Sequence, residues 1–439
     1  MSDAAVATLD EPISAPTPVR TIAAGAIGNV IEWYDFSLYG YMAVVISQLF
    51  FPHDNALVSL IATYGVFAAG FIMRPLGAFV FGHLGDRLGR KSVLVISVLM
   101  MVMPTILLGL LPTYAQWGVW AAVALVAIRM IQGLSVGGEF SGSATYLAET
   151  ASPNRRGFAA SWANIGSLTG MLLGAATPAI TMAVLSETQV QTWGWRIPFL
   201  LGGLIGIVAL LLRRGLPEPE PGDIEPSTDE VGARSGEHPL MSLVRSEPWV
   251  MLRAVIYAAG YGVLFYIPMV YLPTWLSMYT AIDLHEALFI ATAAMGLQII
   301  VIPLAGYVSD TLIKRTHLLA GTFVVMAAVV APLYVLAGGG ALWEAVIALL
   351  VFAAIVAVPL GVTPALMAES FSRRHRLTGY SVSFNLGFGI AGGTAPMVAT
   401  WLIHSTGLRL APAFYLVACA AIGAIALLTM RDWSRSPLR

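Results

Sequence analysis

The sequence predicts an all-α membrane protein with twelve transmembrane helices, arranged as two related halves of six. Three observations predict this fold class: an apolar composition, twelve long apolar runs, and motifs that recur in both halves. Of the 439 residues, 58% are hydrophobic and 11% are charged, whereas proteins on average carry about 25% charged residues. The mean hydropathy of +0.80 points the same way. A net charge of −1 gives no reason to expect a nucleic-acid partner, and the lipid bilayer is the expected surrounding.

Runs of about 20 apolar residues separated by polar turns mark the expected spans. Their limits are 21–49, 57–82, 92–111, 117–147, 157–185, 195–213, 250–279, 286–309, 317–337, 342–367, 378–404 and 409–430. The segment between the sixth and seventh spans is rich in Pro, Glu and Asp, which predicts a flexible linker with a short surface helix near Leu240–Arg245. The expected domains are an N-terminal tail 1–20, a half 21–213, a linker 214–248, a half 249–430 and a tail 431–439.

The N-terminus carries no sign of a cleaved leader. Residues 1–19 are acidic and rich in Pro, Ala, Ser and Thr, and the first apolar span is too long for a signal-peptide core. We therefore expect this span to remain as the first transmembrane helix. The single cysteine, Cys419, lies in an apolar span, so the sequence predicts neither an intramolecular disulfide nor a redox site.

Basic residues set the expected orientation. With the N-terminus in the cytoplasm, 19 of the 23 Lys and Arg residues fall in inward loops or tails, which is a strong positive-inside signal. Only Arg196 and Arg409 fall on the outward side, and Arg74 and Arg129 lie within spans. Both termini are therefore expected in the cytoplasm, in a multi-pass protein of the plasma membrane (the inner membrane in a bacterium).

Two pairs of motifs repeat between the halves. Residues 82–91 (GHLGDRLGRK) follow the second span, and residues 306–315 (GYVSDTLIKR) follow the eighth, 224 residues later. Ala-Glu ends the fourth span at Glu149 and the tenth at Glu369, 220 residues later. Two parallel six-helix repeats place a substrate site at their interface near the bilayer midplane.

The first span contains two carboxylates that stability alone does not explain. Glu32 and Asp35 are three residues apart and share one helical face, with Tyr39 one turn further on. An ionised Asp at the bilayer centre costs roughly 2.5–3.5 kcal/mol on transfer scales. The pattern favours an ion or proton site that faces protein or water. The alternative is a buried carboxylate that a cation holds only for packing.

The fourth span supplies a cation at matching depth. Arg129 lies about twelve residues into that span, where an unpaired guanidinium is costly. Gln132 and Glu139 continue a polar stripe toward the cytoplasm, with Glu139 roughly 15 Å further along. Glu139 fits either a release path or a structural bond within its own half. Arg74 in the second span fits either an anion anchor or an ion pair that serves packing.

The motifs resemble those of the major facilitator superfamily. Residues 82–91 resemble its loop 2–3 signature, and residues 129–133 (RMIQG) resemble its fourth-helix signature. Residues 28–36 (GNVIEWYDF), 132–139 (QGLSVGGE) and 193–199 (WGWRIPF) are similar to the metabolite–proton symporter family within it. The resemblance covers nearly the whole chain. It implies inward co-transport of protons with small organic acids or zwitterions, such as di- and tricarboxylates, oxo-acids, proline or betaines.

The resemblance also implies roles for individual residues. In related sugar–proton symporters the positions of Asp35 and Arg129 form an ion pair linked to protonation, so we expect protonation of Asp35 to free Arg129 for a substrate carboxylate. Glu32 is either a second proton carrier or a like charge that favours the protonated form of Asp35. The expected cytoplasmic gate residues are Asp86, Arg87, Arg90, Lys91, Asp310 and Glu139. Apart from the resemblance, the positions of polar and aromatic residues within the spans complete the set of expected substrate-binding residues, which are Arg129, Gln132, Tyr39, Arg74, Tyr261, Gln298 and Asn385.

The function that the sequence favours is proton-coupled import of a small carboxylate, by one chain acting as a monomer and without a cofactor other than the proton. The first alternative is a carrier of zwitterionic osmolytes, for which Tyr261 and Phe265 would supply aromatic faces to a quaternary ammonium. It ranks second because known osmolyte carriers tend to have a long coiled-coil tail, whereas this chain ends nine residues after Met430. A transporter-like sensor is a further alternative, but such proteins usually append a signalling domain. An enzyme is not expected, since the sequence offers no nucleophile–base set and no metal-ligand cluster.

Overall fold

The structure is a computed structural model that describes residues 19–77, 90–135, 139–152, 154–214 and 239–438. Within these ranges the chain is helical and forms no strand, and the predicted fold class is confirmed. The side of the membrane on which the termini lie remains a prediction. The first half contains α1 (Val19–Tyr41 and Ala43–Phe50), α2 (Ala56–Gly77), α3 (Arg90–Leu110), α4 (Val119–Ser135 and Glu139–Thr150), α5 (Arg156–Val184) and α6 (Arg196–Arg214). The second half contains α7 (Pro248–Tyr279), α8 (Leu284–Thr311), α9 (Arg315–Ala337), α10 (Leu342–Ser370), α11 (Arg376–Thr406) and α12 (Ala411–Thr429).

Helix length and composition agree with a membrane environment. Within the described ranges, α2, α4, α5 and α7 to α12 are each long and apolar enough to cross a bilayer. The apolar parts of α3 and α6 are shorter, at Ile96–Leu110 and Arg196–Val208. Large apolar side chains such as Leu211, Ile300 and Leu428 are exposed on the outer surface, where lipid would cover them.

The two halves meet along two seams related by the repeat. One seam packs α2 against α11, and the other packs α5 against α8. At the second seam a Cβ atom on Gly157 would lie only 2.6 Å from the carbonyl oxygen of Gly306. The backbones touch there because neither residue has a side chain. This close contact lies at the end of the molecule that carries both termini.

Two helices of the second half are irregular near the middle of the molecule. α7 contains a π-helical turn at Ile267–Tyr271, which includes Pro268, and α11 contains one at Asn385–Gly392. Such turns widen the helix locally and are frequent at functional sites. In this protein they adjoin the aromatic residues that surround the central cavity.

The predicted surface helix in the linker is present at Pro239–Ser246. It lies against the turn that precedes α11, where Ser242 hydrogen-bonds to the Nε2 atom of His375 at 3.1 Å. Glu247 follows the helix and lies 3.4 Å from the Nδ1 atom of the same histidine. The end of the linker is therefore attached to the second half.

Candidate functional site

A buried hydrogen-bonded network surrounds Asp35 in the centre of the first half. Arg129 Nη1 on α4 donates to Asp35 Oδ2 at 2.8 Å. Thr105 Oγ1 on α3 donates to Asp35 Oδ1 at 2.7 Å, and Gln132 Nε2 donates to the same oxygen at 2.9 Å. Gln132 Oε1 in turn accepts from Arg129 Nη1 at 2.9 Å. The carboxylate therefore accepts hydrogen bonds from one charged and two neutral donors.

Aromatic rings cover the other faces of the Arg129 guanidinium. Its Cζ atom lies 4.7 Å from the ring centre of Phe36 and 4.5 Å from that of Tyr39. Tyr39 is fully buried, and its hydroxyl donates to the carbonyl of Thr63 at 3.2 Å. Among the described residues, Arg129 Nε and Nη2 have no hydrogen-bond partner. The side chain has little room to leave this position while its ion pair with Asp35 persists.

A second buried ion pair lies on the other side of Phe36. Arg74 Nη2 on α2 is 3.4 Å from Glu32 Oε1 on α1, and both side chains are buried. The Arg74 Cζ atom lies 4.3 Å from the ring centre of Phe36 and 4.3 Å from that of Phe71. Phe36 is thus in contact with both guanidinium groups. When all four groups are ionised, the two pairs together carry no net charge.

A central cavity lies where the halves meet, and aromatic rings dominate its wall. It has about 10 Å³ of space for the centre of a water-sized sphere, which is room for about one water molecule. The first half contributes Trp33, Phe140, Asn164, Ser167, Leu168 and Met171, and the second half contributes Tyr261, Phe265, Leu360, Phe384 and Phe388. Ser167 Oγ and Trp33 Nε1 have no hydrogen-bond partner among the described residues.

A wider cleft opens at the end of the molecule opposite the termini. It has a volume of about 540 Å³ and separates α1 and α2 of the first half from α7 and α8 of the second. Between this cleft and the central cavity the halves touch. Tyr41 donates to the carbonyl of Met269 at 3.1 Å, and Tyr64 donates to Thr274 at 3.0 Å. With the predicted orientation, the structure is open toward the outside as far as these tyrosines and occluded at its centre.

Charged residues close the opposite end, where both termini lie. Arg315 makes two hydrogen bonds to Glu369, at 2.8 and 2.9 Å, and lies 3.0 Å from Asp310. Asp310 also accepts the backbone N–H groups of Gly157 at 2.8 Å and Phe158 at 2.9 Å, at the start of α5. A carboxylate at a helix N-terminus is favourable because the unpaired N–H groups and the helix dipole are positive there. Asp310 thus joins the second half to the first.

Two further ion pairs at this end are equivalent to each other under the internal repeat. Arg156 on α5 lies 3.4 Å from Glu369 on α10, and Arg376 on α11 hydrogen-bonds to Glu149 on α4. Each residue of the first pair has its repeat equivalent in the second, because both offsets are 220 residues. Arg156 also donates to the carbonyl of Ser436 in the C-terminal tail at 2.9 Å. We call these pairs, together with Asp310 and Arg315, the inner latch.

The predicted gate residues are described only in part. Asp310 belongs to the inner latch. Asp86 and Arg87 lie outside the described residues, and so do the side chains of Arg90 and Lys91, although their backbone begins α3. The side chain of Glu139 also lies outside the described part, so its predicted place on a release path stays a prediction.

The predicted substrate-binding residues are dispersed. Tyr261 lines the central cavity, whereas Arg129, Gln132 and Tyr39 belong to the network around Asp35. Two others do not line the cavity and contact their own half. Gln298 donates to the carbonyl of Ala353 at 3.2 Å, and Asn385 donates to that of Ser381 at 2.9 Å.

Several residues of the site were not predicted from the sequence. Phe140 is a single aromatic within its span and gave no signal. Phe384 and Phe388 follow Tyr380 at intervals of four residues, a helical spacing that could have indicated an aromatic face. Thr105 gave no signal either, because a threonine in a span usually bonds its own backbone. Trp33 could have been found, since it lies directly between the two carboxylates of the recognised motif.

The fold and the site define a membrane transporter whose substrate path runs between two helical halves. Comparison with known proteins supports this class. The family described as "Sugar (and other) transporter" matches residues 21–220, and the family described as "Major Facilitator Superfamily" matches residues 262–438. The chain belongs to the major facilitator superfamily, within its metabolite–proton symporter family. It is an integral, multi-pass transporter of the plasma membrane and not an enzyme.

Curated relatives match over almost the full chain. The proline/betaine transporter of Salmonella typhimurium is 32% identical over 425 residues, covering 96% of this chain and 85% of the relative. The ectoine/proline transporter ProP of Corynebacterium glutamicum is 34% identical over 449 residues, covering 96% and 86%. Among solved structures, a D-xylose-proton symporter superposes with a TM-score of 0.72 at 19% identity, covering 96% of this chain and 98% of its own. The inward open conformation of the xylose transporter XylE from E. coli gives a TM-score of 0.70 at 16% identity, with coverage of 93% and 94%. At these identities the structural likeness speaks for the fold alone.

Proposed function

We propose that this protein imports a small zwitterionic solute, of the class of betaine and proline, together with protons. The observation that carries this proposal is the aromatic wall of the central cavity. Trp33 and Phe140 of the first half face Tyr261, Phe265 and Phe388 of the second. A desolvated cation over aromatic faces gains about 2 kcal/mol or more, and quaternary ammonium groups are recognised in such cages. The names of the relatives, proline/betaine and ectoine/proline transporters, support the same substrate class.

Charge balance at the centre favours the same class of solute. The four buried groups Glu32, Asp35, Arg74 and Arg129 sum to zero charge when all are ionised, and to +1 when Asp35 carries the coupled proton. A zwitterion adds no net charge to this desolvated region. A dicarboxylate adds two negative charges, which low-dielectric surroundings tolerate only if two protons or further cations accompany it. This reasoning reverses the order that the sequence alone favoured, in which organic acids ranked first.

Asp35 is the residue that we assign to proton coupling. A proton on Asp35 cancels the charge that holds Arg129 and weakens a contact between α1 and α4. With substrate in the central cavity, the inner latch opens and the tyrosine contacts on the outer side remain closed. Asp35 then releases its proton to the cytoplasm, and the pair with Arg129 forms again. In this cycle the proton is the only coupling ion, no further cofactor takes part, and the monomer is the functional unit.

A second candidate is import of a small organic acid. The observation that favours it is the presence of two buried guanidinium groups, each with N–H atoms that have no hydrogen-bond partner among the described residues. In that case Arg129 holds a carboxylate after Asp35 is protonated. Binding of an acid should then weaken as pH rises, because it requires a proton on Asp35, whereas zwitterion binding should depend less on pH.

Ligand-induced thermal stabilisation of the purified protein separates the two candidates. Glycine betaine, proline, succinate and citrate are compared at one mildly acidic and one neutral pH. We expect stabilisation by betaine or proline at both values and none by the acids. Stabilisation by a di- or tricarboxylate that betaine and proline fail to match contradicts the proposed substrate class.

A further inference from the structure

Tyr266 is a buried residue whose ring packs among other aromatic rings but whose hydroxyl takes no part in that packing. It lies on α7 directly before the π-helical turn, and its side chain is 1% exposed. Its hydroxyl has no hydrogen-bond partner among the described residues. A buried hydroxyl in that condition lowers stability, because it loses its hydrogen bonds to water and gains none. Where such a hydroxyl lies beside a substrate cavity, it is a candidate donor to a ligand.

The surroundings of Tyr266 join the cavity to the second ion pair. Its ring centre lies 5.2 Å from that of Phe265 and 5.6 Å from that of Phe388, both of which line the cavity. On the other side its ring lies 5.5 Å from Phe71 of the first half. The Arg74 guanidinium packs on that same Phe71 ring at 4.3 Å. The Tyr266 hydroxyl is within electrostatic range of Arg74 and Glu32, and of Arg129 as well.

Arg74 is the guanidinium that is more available to a ligand. Its distance of 3.4 Å to Glu32 is longer than the 2.8 Å between Arg129 and Asp35. Nε and Nη2 lack a hydrogen-bond partner in both guanidinium groups among the described residues. Arg129 Nη1, however, donates to both Asp35 and Gln132, whereas Arg74 approaches Glu32 only at the longer distance. Two N–H groups of one guanidinium side are the donors that a carboxylate accepts bidentately.

Trp33 links Arg74 to the cavity. Its ring centre is 5.7 Å from the Arg74 Cζ atom, and the ring forms part of the cavity wall. Its Nε1–H also has no partner among the described residues. Trp33, Arg74 and Tyr266, each with a donor that makes no hydrogen bond among the described residues, thus lie in or beside the wall of the aromatic cavity. Such donors are suited to bind an anionic group.

We propose that Arg74 and Tyr266 bind the carboxylate of the zwitterion, while the aromatic cage binds its cation. This inference rests on the proposed function and adds to it the residues that recognise the anionic end of the substrate. Arg74 belongs to the first half and Tyr266 to the second. One carboxylate that accepts from both draws the halves together over the substrate. Trp33 turns to admit the solute, since the cavity as it stands has room for about one water molecule. Arg129 stays with Asp35 and serves the proton.

Glycine betaine and choline are the probes that isolate the carboxylate. Both carry a trimethylammonium group, but choline has a hydroxymethyl group where betaine has a carboxylate. The variant Tyr266→Phe removes one hydrogen bond to that carboxylate, so we expect betaine affinity to fall about tenfold, as one charge-assisted bond predicts. Affinity for choline should stay the same. Arg74→Lys keeps the charge but loses the planar fork, and should weaken betaine binding as well.

Affinities for betaine and choline are measured by titration calorimetry. A matched control variant and the melting temperature without ligand complete the experiment. Tyr334→Phe removes another fully buried hydroxyl without a partner among the described residues, in the packing of Trp275 and Phe352, and should leave both affinities unchanged. Without ligand, Tyr266→Phe should melt at the wild-type temperature or higher, because it removes an unsatisfied group. Unchanged betaine affinity in Tyr266→Phe, or a lower melting temperature without ligand, overturns the inference. Wild-type protein that binds neither betaine nor proline instead overturns the proposed function.

Discussion

Replacement of Asp35 by asparagine tests the coupling mechanism at its centre. The carbonyl oxygen of the introduced amide can keep the hydrogen bonds from Thr105 and Gln132, which measure 2.7 and 2.9 Å to the present carboxylate. The ionic bond from Arg129 at 2.8 Å is lost. The side chain then resembles a permanently protonated Asp35. Import against a concentration gradient should cease, whereas exchange of substrate between the two sides of the membrane should continue.

The stability cost follows from the burial of the pair. Asp35 is 2% exposed and Arg129 is fully buried, and removal of one partner of such a pair typically costs about 3–5 kcal/mol. Neutralisation of both partners in the double variant Asp35→Asn with Arg129→Gln should recover most of this loss, because no uncompensated charge remains. Asp54→Asn, at an exposed position, is the control with the same chemical change.

Proteoliposomes with an imposed proton gradient provide the assay. Accumulation and counterflow of labelled betaine are measured for the wild type, Asp35→Asn, the control Asp54→Asn and the double variant. Melting temperatures are measured for the same four proteins. If Asp35→Asn concentrates substrate as well as the wild type, the assignment of the proton to Asp35 is wrong. A double variant no more stable than Asp35→Asn would show that the charge of Arg129 is not the source of the cost.

Two further predictions concern the end that carries the termini. Gly157→Val places side-chain atoms where even a Cβ would lie 2.6 Å from the Gly306 carbonyl oxygen, so it should separate α5 from α8 and open the inner latch. Spin labels on the exposed ends of these helices should report a longer distance, whereas Gly321→Val, where a Cβ meets nothing within 4 Å, should change nothing. In the tail, burial alone would raise the pKa of Asp432, but hydrogen bonds from Ser434 and Thr316 outweigh it and lower the pKa below the ordinary 3.8. The stabilisation by ionised Asp432 is therefore complete above the ordinary carboxyl pKa and is lost as pH falls through the lowered value. Asp432→Asn should accelerate hydrogen exchange of the Thr316 amide at neutral pH, and an unchanged rate there contradicts this attachment of the tail.

The sequence predicted the fold well because each membrane helix can be recognised from its own local run of apolar residues. Each span needs about 20 apolar residues, so hydropathy located the helices within a few residues of their observed bounds. The offset of 220 residues between Glu149 and Glu369 predicted the repeat, and the structure places both residues in equivalent ion pairs. Irregularities within helices were less visible. Pro268 marks the π-helical turn of α7, but no such signal marks the turn at Asn385–Gly392.

The charged residues of the site could be predicted from the sequence, whereas most of its aromatic residues could not. A carboxylate or guanidinium in a span stands out because burial is costly, so Asp35 and Arg129 were identified and lie together as an ion pair. An aromatic residue in a span is equally stable against lipid, a neighbouring helix or a substrate. Phe140 and Phe388 therefore became part of a cavity only when the packing of both halves was known. The sequence ranked the osmolyte carrier second for lack of a coiled-coil tail, and the aromatic wall that supports our proposal of a zwitterion became visible only in the packed structure.

Concurrent flux of substrate and protons is the most direct test of proton-coupled zwitterion import. Proteoliposomes containing the protein and an internal pH indicator receive external glycine betaine, proline or succinate in the absence of any other gradient. We predict that betaine or proline enters and acidifies the lumen at the same time, and that a proton ionophore abolishes the acidification. Succinate should neither enter nor acidify the lumen. Entry of betaine without acidification would contradict proton coupling, and acidification driven by succinate alone would contradict the zwitterion as substrate.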